Sequence, residues 1–408
     1  MKNIVLLLLL LIPACLGAYD FGLLLDQTAG FSGDISGDTP AVDDTVALIP
    51  RLSIFLGETD SWEIFISAGI TADYESEEWT FAPELLRTEI SGRDGNFRMK
   101  IGRMFYADPL NFVVDGLFDG AQYSIDSPVG TFSLGAWYTG LLYKNKAYIT
   151  MTPEDFISYY TPVDYNNFAD TYFASKRLLT GLNWEHPSLA EIVRLRFAII
   201  GQYDLNGRDA LYHSQYASLK AAMLVKRFAF ELGGAFQTAE AGKIDKDHFS
   251  IGYAGELGVS WALPAAFQSQ LSLNGQYSSG KAESGPVAAF VPVTAKEHGN
   301  ILKAQFSGLS IINLDYTMRM HETLSSGLTA SYFIRNDLGT YTGYPLLGSE
   351  DSGGHFLGLE FFWRLIWSPI SDLRLNLGGS IFIPSAGDAA PKADYQWRVE
   401  MGMVLALY

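Results

Sequence analysis

The sequence predicts an all-β fold, a transmembrane antiparallel up-and-down β-barrel of about 18 strands, with about 16 as the alternative count. Eighteen stretches between Tyr19 and Tyr408 alternate apolar and polar residues, and the connections between them alternate between long and short. A sheet can cross lipid only when it closes on itself, because lipid offers no partner to an unpaired backbone group. Tight turns on one side and long loops on the other are typical of bacterial barrels whose chain ends face the periplasm.

The first 18 residues predict a secretory signal peptide, and the barrel is expected to occupy residues 19–408. Lys2 precedes the short apolar segment 4–12, and small residues follow at Gly17 and Ala18. This segment is shorter than the ~20 apolar residues that a membrane-spanning helix needs. Cleavage would remove Cys15, the only cysteine, whereas in the alternative interpretation Cys15 belongs to a lipobox and is acylated.

A period of two residues identifies each strand in turn. Between Ser371 and Pro384, for example, leucines at 373, 375 and 377 share one parity and the polar residues at 374 and 376 the other, a separation that a helical period would destroy. The predicted strands are 19–27, 46–57, 61–74, 79–92, 96–106, 117–126, 129–141, 173–185, 190–204, 211–226, 227–240, 249–263, 266–279, 306–320, 323–336, 355–369, 371–384 and 394–408.

The long connections follow the odd-numbered strands and the tight turns follow the even-numbered ones. The longest connection, 142–172, is rich in aromatic residues and is expected either to constrict the barrel or to cover its rim. A soluble all-β protein is the alternative, but such sheets seldom keep this order over a whole chain. The last strand stops at Tyr408, and this ending resembles the signal that outer-membrane barrels present to their assembly machinery.

The net charge of -17, with 45 acidic and 28 basic residues, excludes a nucleic-acid surface, because phosphate binding needs a concentrated positive face. Many acids lie in the predicted outer loops and are expected to be solvated, with a calcium or lipopolysaccharide-bridging site as the alternative. These acids are Asp34, Asp38, Asp43, Asp44, Glu154, Asp155, Asp164, Asp170, Glu350 and Asp351. The membrane partners expected from the fold are outer-membrane lipid and lipopolysaccharide.

The polar parity is expected to face a lumen and to line a pore. Its basic residues are Arg51, Arg87, Arg98, Lys100, Arg177, Arg194, Arg196, Lys220, Arg319, Arg335, Arg364, Arg374 and Arg398. Its acidic residues are Glu63, Glu89, Glu231, Glu256, Asp315, Glu360 and Glu400. About half of the cations are expected to pair with these carboxylates. The remaining excess predicts a net positive wall that favours anions.

Nothing in the sequence indicates catalysis, a cofactor or a metal centre. The six histidines lie mostly at turns and loop edges, without metal-ligand spacing or a nucleophile motif. A barrel hydrolase remains an alternative, because its triad would be assembled across strands and would leave a weak sequence pattern.

The segment 100–106 ends with Gly102 and Arg103, and Asp119 and Gly120 follow in the next strand. This Gly-Arg strand end, outer loop and Phe-Asp-Gly-Ala sequence resembles the alginate-export type of outer-membrane porin. The resemblance implies an 18-stranded barrel with an arginine-lined lumen, anionic or sugar-like solutes, and binding roles for Arg103 and Asp119.

The sequence thus predicts a bacterial outer-membrane channel for passive diffusion of small hydrophilic solutes, with a preference for anions or sugar acids. At 16 to 18 strands, such barrels leave an aqueous channel. The alternatives are a non-conducting barrel that acts as an adhesin or surface-binding protein, and a transporter of hydrophobic solutes.

Overall fold

The barrel is closed in this computed structural model, which describes residues 18–407 apart from 38–39, 57–60, 76, 190–191, 208–209, 244–245, 265–266, 284 and 341–350. Eighteen antiparallel strands form one sheet in which each strand pairs with the next, and the last strand pairs with the first. The predicted fold class and strand number are confirmed. Among the described residues, no helix has the length and apolar character needed to cross a bilayer.

The first half of the sheet contains β1 (Ala18–Asp34), β2 (Ala41–Leu56), β3 (Trp62–Glu75), β4 (Glu78–Asp94), β5 (Phe97–Ala107), β6 (Asp115–Ser127), β7 (Gly130–Tyr138), β8 (Arg177–Leu189) and β9 (Val193–Asp204). The second half contains β10 (Ala210–Val225), β11 (Phe228–Lys243), β12 (Lys246–Leu263), β13 (Gln268–Ser278), β16 (Leu309–His321), β17 (Leu324–Arg335), β18 (Phe356–Ile370), β19 (Leu373–Ile383) and β20 (Gln396–Leu407). We call the end of the barrel with the tight turns the turn end, and the opposite end the loop end.

Two connections at the loop end contain further structure. The connection between β7 and β8 carries α1 (Lys144–Ala147), α2 (Pro153–Tyr160) and α3 (Phe168–Tyr172). The connection between β13 and β16 carries a small hairpin of β14 (Glu297–His298) and β15 (Ala304–Gln305).

The strand ends differ most from the sequence prediction at the loop end. β1 and β2 stay paired up to Ser32 and Ala41, well beyond the predicted ends at residues 27 and 46. Apolar alternation stops where both faces of a strand leave the lipid, whereas backbone pairing continues. β7 and β8 show the opposite deviation, because they end at Tyr138 and begin at Arg177, inside the predicted limits of 141 and 173.

Exposure separates the two faces of the sheet. In β12, Tyr253, Leu257 and Trp261 are exposed, whereas Ala254 on the other parity is buried. Exposed apolar side chains recur on the outward parity around the barrel, which is the arrangement expected of a lipid-facing surface.

The apolar core lies inside the barrel, where connections from the loop end fold inward and pack against the wall. Its members from these connections include Leu110, Phe112, Val113 and Val114; Ile149 and Met151; Phe290, Val293, Leu302 and Phe306; and Ala389 and Ala390. The interior is therefore not an open cylinder.

Candidate channel and its inner wall

The strand registers place the thirteen predicted basic residues on the parity of the buried interior. In β9, Arg194 and Arg196 share their parity with Ala198 and Ile200, which are buried, whereas Ile199 between them is exposed. Arg87 reaches the inward parity through a β-bulge, because the pairing of β3 with β4 shifts between Ile66 and Ala68.

Three of these arginines, near the loop end, bind acids that the sequence assigned to outer loops. Arg177 Nη2 lies 2.5 Å from Asp155 Oδ2, Arg335 Nη2 lies 2.7 Å from Asp351 Oδ1, and Arg398 Nη2 lies 2.7 Å from Asp43 Oδ2. The expectation of solvated acids is wrong for these three carboxylates, because each binds an inward-facing guanidinium, Asp155 and Asp351 from connections and Asp43 from β2. Hydrogen bonds from Arg335 also hold the pKa of Asp351 below its usual range. Asp38 and Glu350 lie outside the described residues.

Arg177 is the most enclosed of the three. Its guanidinium contacts both Asp155 and Asp204, and all three side chains are fully buried. Asp155 reaches this position because it begins a helix: Thr152 is the N-cap of α2, its hydroxyl accepts a hydrogen bond from Asp155 N, and Asp155 accepts one from Thr152 N. This capping box fixes the helix start and places Asp155 Oδ2 where it also accepts from Arg177, while Oδ1 accepts from the Ser175 hydroxyl.

Other cations pair with carboxylates of the strands, either of a nearby strand or of their own. Lys220 Nζ lies 2.7 Å from Glu231 and 2.8 Å from Glu256. Arg98 pairs with Asp126 at 2.6 Å. Glu89 pairs with Arg87 and, at 3.8 Å, with Lys100.

The remaining inward cations form no ion pair with any carboxylate that the structure describes. They are Arg51, Arg194, Arg196, Arg319, Arg364 and Arg374. All of them lie in the half of the barrel toward the turn end. Arg319 and Arg364 line a cavity of about 310 Å³ there, together with the polar residues Gln268, Thr317 and Ser325.

The predicted acidic residues have varied surroundings. Asp315 accepts a hydrogen bond from Thr329 at 2.7 Å, and Glu400 contacts Arg398 at 3.5 Å. Glu63 lies opposite Ser91 in the β3–β4 ladder.

Glu360 has a different role, because it holds a segment that crosses the barrel. Its carboxylate accepts hydrogen bonds from the backbone N–H groups of Asn300 (2.6 Å) and Leu302 (3.1 Å). At the other end of the segment, Tyr216 donates to Val291 O at 2.7 Å. The connection between β13 and β16 thus extends across the interior from β10 to β18.

Sequence reasoning missed this crossing segment and considered only 142–172 as a constriction. The available signal was the apolar character of Phe290, Val291 and Val293, which is unusual for a solvated loop. The connection between β7 and β8 also fills part of the interior. Ile149 and Met151 belong to the apolar core, and Tyr148 O accepts a hydrogen bond from Ala295 N at 2.7 Å.

The residues singled out by the family resemblance lie elsewhere. Arg103 and Asp119 form a two-bond ion pair, with Nε–Oδ1 and Nη2–Oδ2 distances of 2.8 Å. Arg103 shares the parity of Ile101 and Phe105, which are exposed, so this pair lies on the outward side of the sheet. Gly102 precedes it with φ of 120°, and a Cβ there would lie 2.2 Å from Thr88 O, so this approach of β4 requires glycine.

An apolar exterior, a polar ion-paired inner wall and eighteen strands closed in register define the chain as a transmembrane-type β-barrel. The same fold occurs in the outer membrane protein OpdK of Pseudomonas aeruginosa with vanillate (TM-score 0.62, 12% identity, 96% of this chain and 100% of that chain). It also occurs in OccK2 (OpdF) of Pseudomonas aeruginosa with glucuronate (TM-score 0.59, 12% identity, 96% and 99% coverage). At this identity the likeness is one of fold. The sequence matches no protein-family model and no curated protein.

Proposed function

We propose that this chain is a channel of the bacterial outer membrane through which small hydrophilic solutes diffuse passively. The loop end would face the exterior and the turn end the periplasm, as in bacterial barrels with short turns and long loops. Support comes from the fold and from an inner wall that carries charged and hydrogen-bonding side chains. The signal peptide, the assembly role of the last strand and contacts with lipopolysaccharide belong to the same proposal; residues 1–17 and Tyr408 lie outside the described part.

We further propose that the channel prefers anions, and among them sugar acids or other small carboxylates. The observation that carries this preference is the group of six inward arginines without a described ionic partner. A guanidinium that is not neutralised attracts an anion, and the low-dielectric wall around it focuses the field. The fold is shared with proteins that were crystallised with glucuronate and vanillate, which are carboxylates. The alginate-export type remains a prediction from the short motif around Gly102 and Asp119.

Reversal potentials in planar bilayers under a salt gradient test this proposal. We expect anion selectivity in the wild type and a marked fall in the double variant Arg194→Gln/Arg196→Gln. The matched control is Lys226→Gln/Arg227→Gln, which removes the same charge from the exposed turn between β10 and β11. Cation selectivity in the wild type, or an equal change in both variants, would overturn the anion preference.

A barrel that does not conduct and acts by surface binding is the second candidate. The crossing segment held by Glu360 and Tyr216 favours it, because this segment occupies part of the interior. The absence of channel steps from purified, folded protein would support this candidate and contradict the channel.

A further inference from the structure

The wall has a seam between β4 and β5. Their ladder runs only from Asp94↔Phe97 to Thr88↔Arg103. Above it, residues 78–85 of β4 pair with β3 but not with β5, and residues 104–107 of β5 pair with β6 alone. The two strands therefore separate toward the loop end.

Side chains close the exposed edge of β4 in place of a strand. The Tyr165 hydroxyl donates to Phe81 O at 3.0 Å and accepts from Phe81 N at 2.9 Å. The Tyr172 hydroxyl donates to Pro83 O, and Arg103 Nη1 donates to Leu85 O at 2.5 Å. A barrel edge in lipid must be satisfied. Here the partners are three side chains. Rotating them away from β4 breaks fewer hydrogen bonds than separating a whole strand from its neighbour would.

The Arg103–Asp119 pair stands at the lower end of this seam, on the outward parity. Its guanidinium side chain is 7% exposed and also donates to Leu141 O at 2.9 Å. Ionisable groups on the lipid side of a barrel are costly. Such groups are therefore functional candidates.

Apolar surface lies on both sides of the seam. On the outside, Phe81, Leu85 and Phe105 are exposed. On the inside, Met104 is buried, and Tyr106 and Trp137 stack with their ring centroids 3.9 Å apart. The ion pair thus lies between apolar residues of the barrel interior and apolar residues of the outer belt.

We propose that the seam is a side passage for amphipathic carboxylates, through which a molecule with an acyl or aryl tail moves between the interior and the outer leaflet. The carboxylate of the solute replaces Asp119 on Arg103, while the tail lies between the apolar side chains of β4 and β5. This route is separate from the aqueous one and does not depend on anion selectivity of the channel.

Photolabelling in proteoliposomes tests the passage, with a diazirine-bearing palmitic acid dissolved in the bilayer and mass spectrometry of the labelled sites. We expect the acid to label Met104 and Tyr106 on the interior side, and Arg103→Gln to lower this labelling about tenfold, the factor that corresponds to loss of one charge-assisted hydrogen bond. The matching diazirine-bearing alcohol, which has no carboxylate, should label the interior side less than the acid in the wild type. Arg194→Gln/Arg196→Gln is the control for entry along the aqueous lumen and should leave the interior labelling unchanged.

Labelling confined to lipid-facing residues such as Phe105, in both the wild type and Arg103→Gln, would overturn the proposal and leave the seam a permanent seal. Equal labelling by acid and alcohol would overturn the carboxylate specificity. If Arg103→Gln does not fold, Tyr172→Phe removes a single hydrogen bond of the seam and should raise interior labelling by the acid; no change would count against the passage. Channel conductance, recorded on the same preparations, reports the aqueous route separately.

Discussion

Individual acidic residues near the loop end hold the connections onto the barrel wall. Asp155 does so with a fully buried carboxylate on a fully buried Arg177. Burying such a pair brings little net stability, because both charges lose their water. Removing the Asp155 carboxylate is costly because it weakens the buried hydrogen bonds from Arg177 and Ser175, although Asp204 still pairs with Arg177. The pair therefore determines where the connection between β7 and β8 lies.

Replacing Asp155 with Asn should detach this connection. We expect a loss of about 1–3 kcal/mol, the usual cost of leaving buried hydrogen-bonding groups unsatisfied, since Arg177 keeps its second partner Asp204. Limited proteolysis should then cut within residues 144–172 faster than in the wild type. Glu154→Gln is the matched control, because Glu154 is the adjacent acid in the first turn of α2 and is exposed. Equal cleavage of both variants would show that the pair does not hold the connection.

The segment between β13 and β16 is the element that most changes the interior. Glu360 and Tyr216 hold its two ends on different strands, and the β14–β15 hairpin lies between them. Within the hairpin, His298 packs near Phe306. Burial, and to a lesser extent the charge of Lys296, lowers the pKa of His298 to about 4 from its ordinary value of 6.5.

This shift predicts that acid loosens the hairpin. His298 is neutral when it is enclosed. Its contribution to the stability of the hairpin is therefore fully present above pH 6.5 and is lost as the pH falls toward about 4. The protection factors of the amides in 297–305, which correct the exchange rates for the intrinsic effect of pH, should therefore fall across this window. His298→Gln should flatten that dependence, even though carboxyl groups still titrate in both proteins. His321→Gln, in an exposed turn, should keep the wild-type profile; a flattened profile there would contradict the assignment.

The sequence predicted strands well and loop paths poorly, for one physical reason. The parity of Arg194 or Leu375 follows from its nearest neighbours, because alternation is a local property. The pairing of Asp155 with Arg177, or of Glu360 with residues 300–302, depends on how distant segments fold in space. The same limit explains why β1 and β2 continue past the predicted ends: backbone pairing there has no hydropathy signal.

At the scale of the whole barrel, charge is distributed unequally along the axis. Near the loop end, Arg177, Arg335 and Arg398 form ion pairs with acidic residues. The six arginines without a described ionic partner lie toward the turn end. These inward arginines therefore form a gradient of unpaired positive charge that rises toward the tight turns.

This gradient predicts that current through the channel depends on the direction of the voltage. We expect rectification at low ionic strength, and its near disappearance at about 1 M salt, where the screening length falls to ~3 Å. Arg319→Gln/Arg364→Gln should weaken it. Lys226→Gln/Arg227→Gln is again the control with the same change in charge. Symmetric currents at low salt in the wild type would argue against an axial gradient.

The pair of Arg398 with Asp43 joins residues 355 positions apart in the chain. Asp43 belongs to β2, Arg398 to β20, and β1 lies between them, paired with both. The contact can form only after the final strand has been made and has docked against the first in the correct register. The pair therefore forms only in a correctly closed barrel, because a final strand docked one residue out of register would turn Arg398 to the opposite face and leave Asp43 without it.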